Sequence, residues 1–143
     1  HRTTQAFMNL QRIVKGKISV FVNQSQLYPY YEMGAAGCWS TEVWMGPWPI
    51  LYLLEQVRKG DNQKAKEVIE DLSSVGAGKP VPGSGNKRPA EFADYCKVGP
   101  TRVPFVTFPE AKLAEAKARA VHWMKLNEKY RPLIEATRSK SAA

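Results

Sequence analysis

At 143 residues the chain has the length of one domain, and its 43% hydrophobic content excludes a disordered segment. No apolar run is long enough to span a membrane. The formal charge of +8 does not mark a nucleic-acid binder, because lysines interleave with glutamates as on a solvated helix face, in Glu110-Ala111-Lys112 and Glu115-Ala116-Lys117. No candidate strand alternates basic with aromatic residues, as a single-strand binder requires.

Cys38 and Cys96 lie far apart, without a C-x-x-C partner or a nearby pair of histidines. A structural metal site is therefore not expected, and the thiols read as buried groups in a reducing cytoplasm. The chain opens at His1 without a methionine or an apolar leader, so it reads as the interior of a longer protein.

Residues 2–14 have helical periodicity, with Phe7, Leu10, Ile13 and Val14 on one side and Gly16 as the stop. Residues 17–22 (KISVFV) form a nearly continuous β-branched run, expected as a strand buried on both faces of a parallel sheet. Its end is polar: Asn23, Gln24, Ser25, Gln26. Amides at a strand's carboxyl tip are candidate ligand contacts, and a solvated loop explains them equally well. A short tyrosine-rich helical turn is expected over residues 27–33.

The stretch GAAGCWSTEVWMGPWP, residues 34–49, organises the chain. A tight turn leads into a very short strand at Cys38 and Trp39, then to the hydroxyls of Ser40 and Thr41. Gly46-Pro47 breaks the chain and starts an apolar helix. In barrels built from βα units, residues at the strand's carboxyl end face the ligand. An aromatic followed by two hydroxyls there offers a ring wall and two hydrogen-bond donors. A buried Trp beside a turn accounts for the same residues.

Ile50, Leu53, Leu54 and Val57 repeat at helical spacing. Arg58 and Lys59 complement the dipole at that helix's end, and Gly60 supplies a left-handed stop. Asp61 is a good N-cap for a second helix carrying Ala65, Val68, Ile69 and Leu72 on one stripe. So short a connection requires an antiparallel hairpin. Residues 75–89 are Gly/Pro-rich and read as a loop of the kind that serves as a lid or binding segment. A short helix is expected over 91–96, and extended chain over 99–104 because residues preceding proline avoid the helical region. Pro109 opens a last long helix running to about Tyr130, with Leu113, Ala116, Ala120, Trp123 and Met124 along one face. His122 on this helix has no partner at ligand spacing and reads as a packing or surface residue.

Two strands separated by helical sequence imply a parallel crossover. Two strands cannot close a sheet, so the fold class expected is α/β, the carboxyl-terminal part of a TIM (β/α)8 barrel with a helical carboxyl-terminal extension. Residues 1–60 would supply the last barrel elements and 61–143 the extension. A complete barrel takes about 250 residues.

The run Gly37-Cys38-Trp39-Ser40-Thr41 through Gly46-Pro47 resembles the last strand and loop of the dihydrodipicolinate synthase/N-acetylneuraminate lyase family, pyruvate-handling class I aldolases on a TIM barrel. Ser40 matches the family's serine, whereas Trp39 stands where the familiar version has a small or branched residue. That Trp, together with KVGPTRVPFVTFPEAKL (residues 97–113), resembles the hydratase-aldolase branch, which cleaves trans-arylidene pyruvates such as trans-o-hydroxybenzylidenepyruvate or its carboxybenzal analogue. The resemblance spans most of the chain and is carried by these two segments.

The resemblance implies a Schiff-base lysine at the end of the sixth strand, immediately before His1, and hence no catalytic residue within the chain. The family's catalytic tyrosine and carboxylate-binding threonines belong to earlier strands. It implies substrate contacts from Trp39 (aromatic ring) and from Ser40, Asn23 and Gln24 (polar groups or water); Asn86 is a further candidate contact, not from the resemblance but from its place in the Gly/Pro loop read as a lid or binding segment. The partners implied by the resemblance are an aromatic keto acid and pyruvate, with no cofactor, in a cytoplasmic homotetramer. A family member acting on a sugar acid or on aspartate semialdehyde would have a polar distal pocket, against which Trp39, Trp44 and Trp48 weigh. A non-catalytic barrel-derived subunit is the remaining alternative.

Overall fold

In the computed structural model, which describes residues 3–14, 16–74, 87–99, 102 and 110–141, strands β1 (Phe21–Asn23) and β2 (Gly37–Trp39) pair in parallel. Phe21 lies opposite Gly37, Val22 opposite Cys38 and Asn23 opposite Trp39. The crossover between them is short: a 3-10 turn (Gln24–Gln26) and helix α2 (Leu27–Tyr31). Leu27 and Tyr30 bury their side chains beneath the sheet. The Ala36 amide donates to the Val20 carbonyl at 2.9 Å, so the ladder begins just before the first paired residues.

Side chains alternate along a strand. Val22 is buried and Cys38 half-buried on the helix-covered face, whereas Phe21 and Trp39 are exposed on the other. This corrects the expected 17–22 strand in two ways. The strand is 21–23, and Ile18 and Phe21 are exposed, so among the described residues the sheet is covered on one face only. A β-branched apolar run signals burial without stating what buries it, and here helices cover one side alone.

Helix α1 (Thr4–Val14) buries one side chain completely, Phe7, edge-on to Tyr30 with ring centroids 4.7 Å apart, and Gln11 Nε2 donates to the Gly34 carbonyl. The expected stripe is therefore narrower, and Ile13 is 75% exposed.

Helices α3 (Trp48–Lys59) and α4 (Asn62–Ser73) form the expected hairpin. Gly60 closes α3 at φ 73°, donating its amide to the Gln56 and Val57 carbonyls. Asp61 caps α4 by accepting from the Lys64 amide at 3.1 Å. Ile50, Leu53 and Val57 face Ala65, Val68 and Leu72 within one continuous apolar core.

Helix α5 (Lys87–Ala93) begins earlier than expected and takes in Lys87, Arg88 and Pro89, which the composition assigned to the loop. Pro89 sits in the first turn, where a missing amide hydrogen costs nothing. The rest of the Gly/Pro segment, 75–86, lies outside the described residues, as do 100, 101, 103 and 104 of the 99–104 segment. After a 3-10 turn (Glu110–Lys112), α6 (Leu113–Ser141) runs eleven residues past the expected end at Tyr130. Pro132 does not stop it. Buried Ile134 anchors the extra turns, and the Thr137 and Ser139 hydroxyls donate to the Leu133 and Glu135 carbonyls.

The chain is thus mixed α/β, mostly helical around a small two-stranded sheet. No helix among the described residues is long and apolar enough to cross a membrane.

Candidate functional site

The carboxyl ends of β1 and β2 bring the sequence-selected residues together. Asn23 and Trp39 are direct cross-strand neighbours, and Ser40 follows Trp39 out of the strand. The Trp39 ring is 74% exposed, with its centroid 6.0 Å from that of Phe21 on the same face. Gly37 makes room for Phe21: a Cβ there would stand 2.9 Å from the Phe21 ring. The open face of the sheet is therefore a shelf of two aromatic rings.

Asn23 terminates β1 as the N-cap of the 3-10 turn. Its Oδ1 accepts from the Ser25 amide at 3.1 Å and from the Ser25 hydroxyl at 3.0 Å. The Gln26 side chain reaches back to the Asn23 amide, completing a capping box. Gln24 turns inward, is 3% exposed, and among the described residues its Oε1 has no hydrogen-bond partner. Asn86 lies outside the described residues.

Beyond Trp39 the chain is held by side chains that the sequence reading missed. Ser40 and Thr41 lead into a 3-10 turn (Glu42–Met45), with Thr41 in the N-cap position but making no cap bond. Instead both hydroxyls donate to Glu42 Oε2, Thr41 at 3.2 Å and Ser40 at 3.5 Å. Glu42 is only 6% exposed, and its other carboxylate oxygen pairs with Arg119 on α6, 77 residues along the chain. Breaking such a buried pair by removing one partner strands a charge and is strongly destabilising.

Two more bonds from α6 fasten the same loop. Trp123 Nε1 donates to the Gly46 carbonyl at 2.8 Å, and Asn127 Nδ2 donates to the Met45 carbonyl at 2.7 Å. Arg119, Trp123 and Asn127 recur every fourth residue and so share one face of α6. That spacing is the available sequence signal: two polar residues in register with a buried Trp. Cys96 adds a tie from beyond α5, its thiol donating to the Trp44 carbonyl at 3.1 Å.

On the covered face, burial pushes the Cys38 thiol up to about 11, so it is protonated and poorly nucleophilic near neutral pH. His122 is less isolated than expected, with Nε2 3.4 Å from the Ser74 hydroxyl. That hydroxyl already donates to the Asp71 carbonyl at 2.8 Å, so Ser74 is not set up as a nucleophile.

A separate cavity of about 260 Å³ lies among the 3-10 turn, α3, α5 and α6, walled by Met45, Trp48, Tyr95, Met124 and Arg131. It contains none of the strand-end candidates. Among the described residues no three His, Cys, Asp or Glu side chains are grouped to hold a metal ion.

No protein-family model matches the chain, and no curated protein does. A solved structure titled "PhdJ bound to substrate intermediate" is similar to it, with a TM-score of 0.77 and 22% sequence identity over 89% of this chain. The two share a fold. The chain spans 43% of the length of that PhdJ chain. At this identity the likeness concerns backbone architecture, and the chemistry must be argued from the side chains.

Proposed function

We propose that these residues form the carboxyl-terminal part of a (β/α)8 barrel in a Schiff-base, pyruvate-dependent hydratase-aldolase acting on a trans-arylidene pyruvate. Residues 1–60 would give the last barrel elements and 61–143 the helical extension. The observation that carries the proposal is the alignment of Asn23 and Trp39 at the carboxyl ends of two parallel strands, with Ser40 beside them. In support, PhdJ, whose fold this chain shares over 89% of its residues, is described as bound to a substrate intermediate, so that fold carries an enzyme site. The open aromatic face of Phe21 and Trp39 suits an aryl ring, and one-sided coverage suits a sheet continued by further strands.

The chemistry belongs to a lysine outside these residues. Its amine condenses with the substrate's keto group and expels water, and the resulting iminium withdraws electrons through the conjugated alkene. Water adds at the alkene carbon bearing the aryl group. Proton removal from the new hydroxyl then breaks the adjacent carbon–carbon bond, releasing an aromatic aldehyde and leaving pyruvate as an enamine. Protonation and hydrolysis free the lysine. Trp39 supplies a wall for the ring, while Ser40 and Asn23 border the polar end of the site.

Treating the full-length protein with pyruvate and borohydride tests the proposal. The expected result is one reduced adduct, mapped by peptide mass spectrometry to a lysine outside residues 1–143. An adduct on a lysine within them, or none, would overturn it.

A further inference from the structure

A hydroxyl group has one proton to donate and two lone pairs with which to accept. At the end of β2 the direction of those protons is set from behind. Glu42 pairs with Arg119 through Oε1, and its Oε2, as the other carboxylate oxygen, is acceptor-only, so Ser40 and Thr41 can meet it only as donors. Thr41 stands at an N-cap position where its oxygen would ordinarily accept from backbone amides, yet no such bond forms. Thr41 directs its proton to this buried carboxylate at 3.2 Å and Ser40 more loosely at 3.5 Å, which leaves the lone pairs of the half-buried Ser40 and the exposed Thr41 as their free hydrogen-bonding capacity. The pair of hydrogen-bond donors expected at this tip is, in the fold, a pair of acceptors.

We propose that Glu42 is a specificity-determining positioning residue: by holding Ser40 and Thr41 as acceptors, it selects ligands whose group at the strand tip donates a hydrogen bond and rejects acceptor-only or anionic groups. This rests on the reading above that the strand tip faces an aryl substrate, and it adds the polarity of the ring substituent. A phenolic or alcoholic hydroxyl satisfies the tip. A methyl ether meets it lone pair against lone pair, and a carboxylate does so with a negative charge facing two oriented oxygens.

The arrangement also predicts a reversal. In Glu42→Gln, Arg119 continues to face the oxygen of the side chain, which places the amide NH2 where Oε2 now stands. That NH2 donates to the Ser40 and Thr41 oxygens and frees their protons to point outward. The tip then becomes a donor, and acceptor substituents gain.

The test uses the full-length protein and follows condensation of pyruvate with hydroxybenzaldehydes at each ring position, their methyl ethers and the carboxybenzaldehydes. For at least one position, wild type is expected to favour the hydroxy compound over its ether and its carboxy analogue by about tenfold or more in kcat/KM. Glu42→Gln should collapse or invert that ratio when each kcat/KM is taken relative to unsubstituted benzaldehyde in the same variant, an effect that general loosening would not produce. Should Glu42→Gln fail to fold, the double variant Ser40→Ala/Thr41→Val should level the ratio instead. Ratios that are flat in wild type, or unchanged in the folded variants, overturn the role of Glu42 while leaving the aldolase reading intact. Absence of turnover with every aldehyde overturns both.

Discussion

Trp123 on α6 donates its indole N–H to the carbonyl of Gly46 at 2.8 Å, fastening the loop after β2 to the longest helix in the molecule. Gly46 has φ 120°, a conformation that L side chains rarely adopt, and a Cβ there would meet Asn127 Nδ2 at 2.3 Å. Gly46→Ala should therefore cost at least about 3 kcal/mol, combining backbone strain with overpacking. Trp123→Phe keeps most of the apolar bulk but leaves a buried carbonyl unpaired, an expected loss of about 1–3 kcal/mol. Urea denaturation of the two variants measures both effects, and a loss under 0.5 kcal/mol in Gly46→Ala (roughly the scatter of surface substitutions) would refute this account of the loop.

Trp39 should behave in the opposite way. Its ring is mostly exposed, so Trp39→Ala is expected to change stability by no more than about 0.5 kcal/mol. Turnover of aryl substrates should nevertheless fall by a factor corresponding to about 1–3 kcal/mol of lost ring contact. Unfolding curves together with kcat/KM for an arylidene pyruvate separate the two effects. Full activity in the variant would remove Trp39 from the site.

Cys38 is expected to resist thiol reagents. With its thiol raised from 9.0 to about 11, the thiolate fraction at pH 8 falls by about two orders of magnitude. A group whose folded value is raised contributes stability that is complete below its unfolded value and is lost as pH rises through the folded one. The loss therefore falls between about pH 9 and pH 11. Cys38→Ala should flatten that alkaline limb, readable from melting temperatures across the range.

Asp71 on α4 ties the α3–α4 hairpin to α6. Burial acts against its charge, but hydrogen bonds from Lys129 (2.6 Å) and Tyr130, aided by the charges of Lys129 and His122, hold its carboxyl below the ordinary range. A depressed carboxyl contributes stability that is present above its unfolded value and lost as pH falls through its folded one. Wild type should accordingly lose stability on acidification below about pH 4. Asp71→Asn should start less stable at pH 7 and lose less on the way down. Parallel acid limbs in the two proteins would show that Asp71 contributes nothing to this dependence.

The parts legible in the sequence are those whose cause is local. Gly60 and Asp61 stop one helix and start the next because their backbone and side-chain requirements are met within four residues. The apolar stripes of α3 and α4 prescribe a hairpin because the connection is too short for another arrangement. The parallel order of β1 and β2 follows from the helical sequence between them, and the cluster of Asn23, Trp39 and Ser40 from their places at strand ends.

Tertiary structure decided what depends on distant residues. Glu42 and Arg119 each resemble solvated charges in their own stretches, and only packing α6 against the loop makes them a buried pair. Trp123 reads as one more apolar residue on a helical stripe, yet its N–H is what secures Gly46. The last helix reads as ending at about Tyr130, but Ile134 finds a buried place beyond Pro132, so α6 continues. Ser40 and Thr41 offer a proton or a lone pair with equal ease, and only the fold sets the buried Glu42 carboxylate beside them as an acceptor.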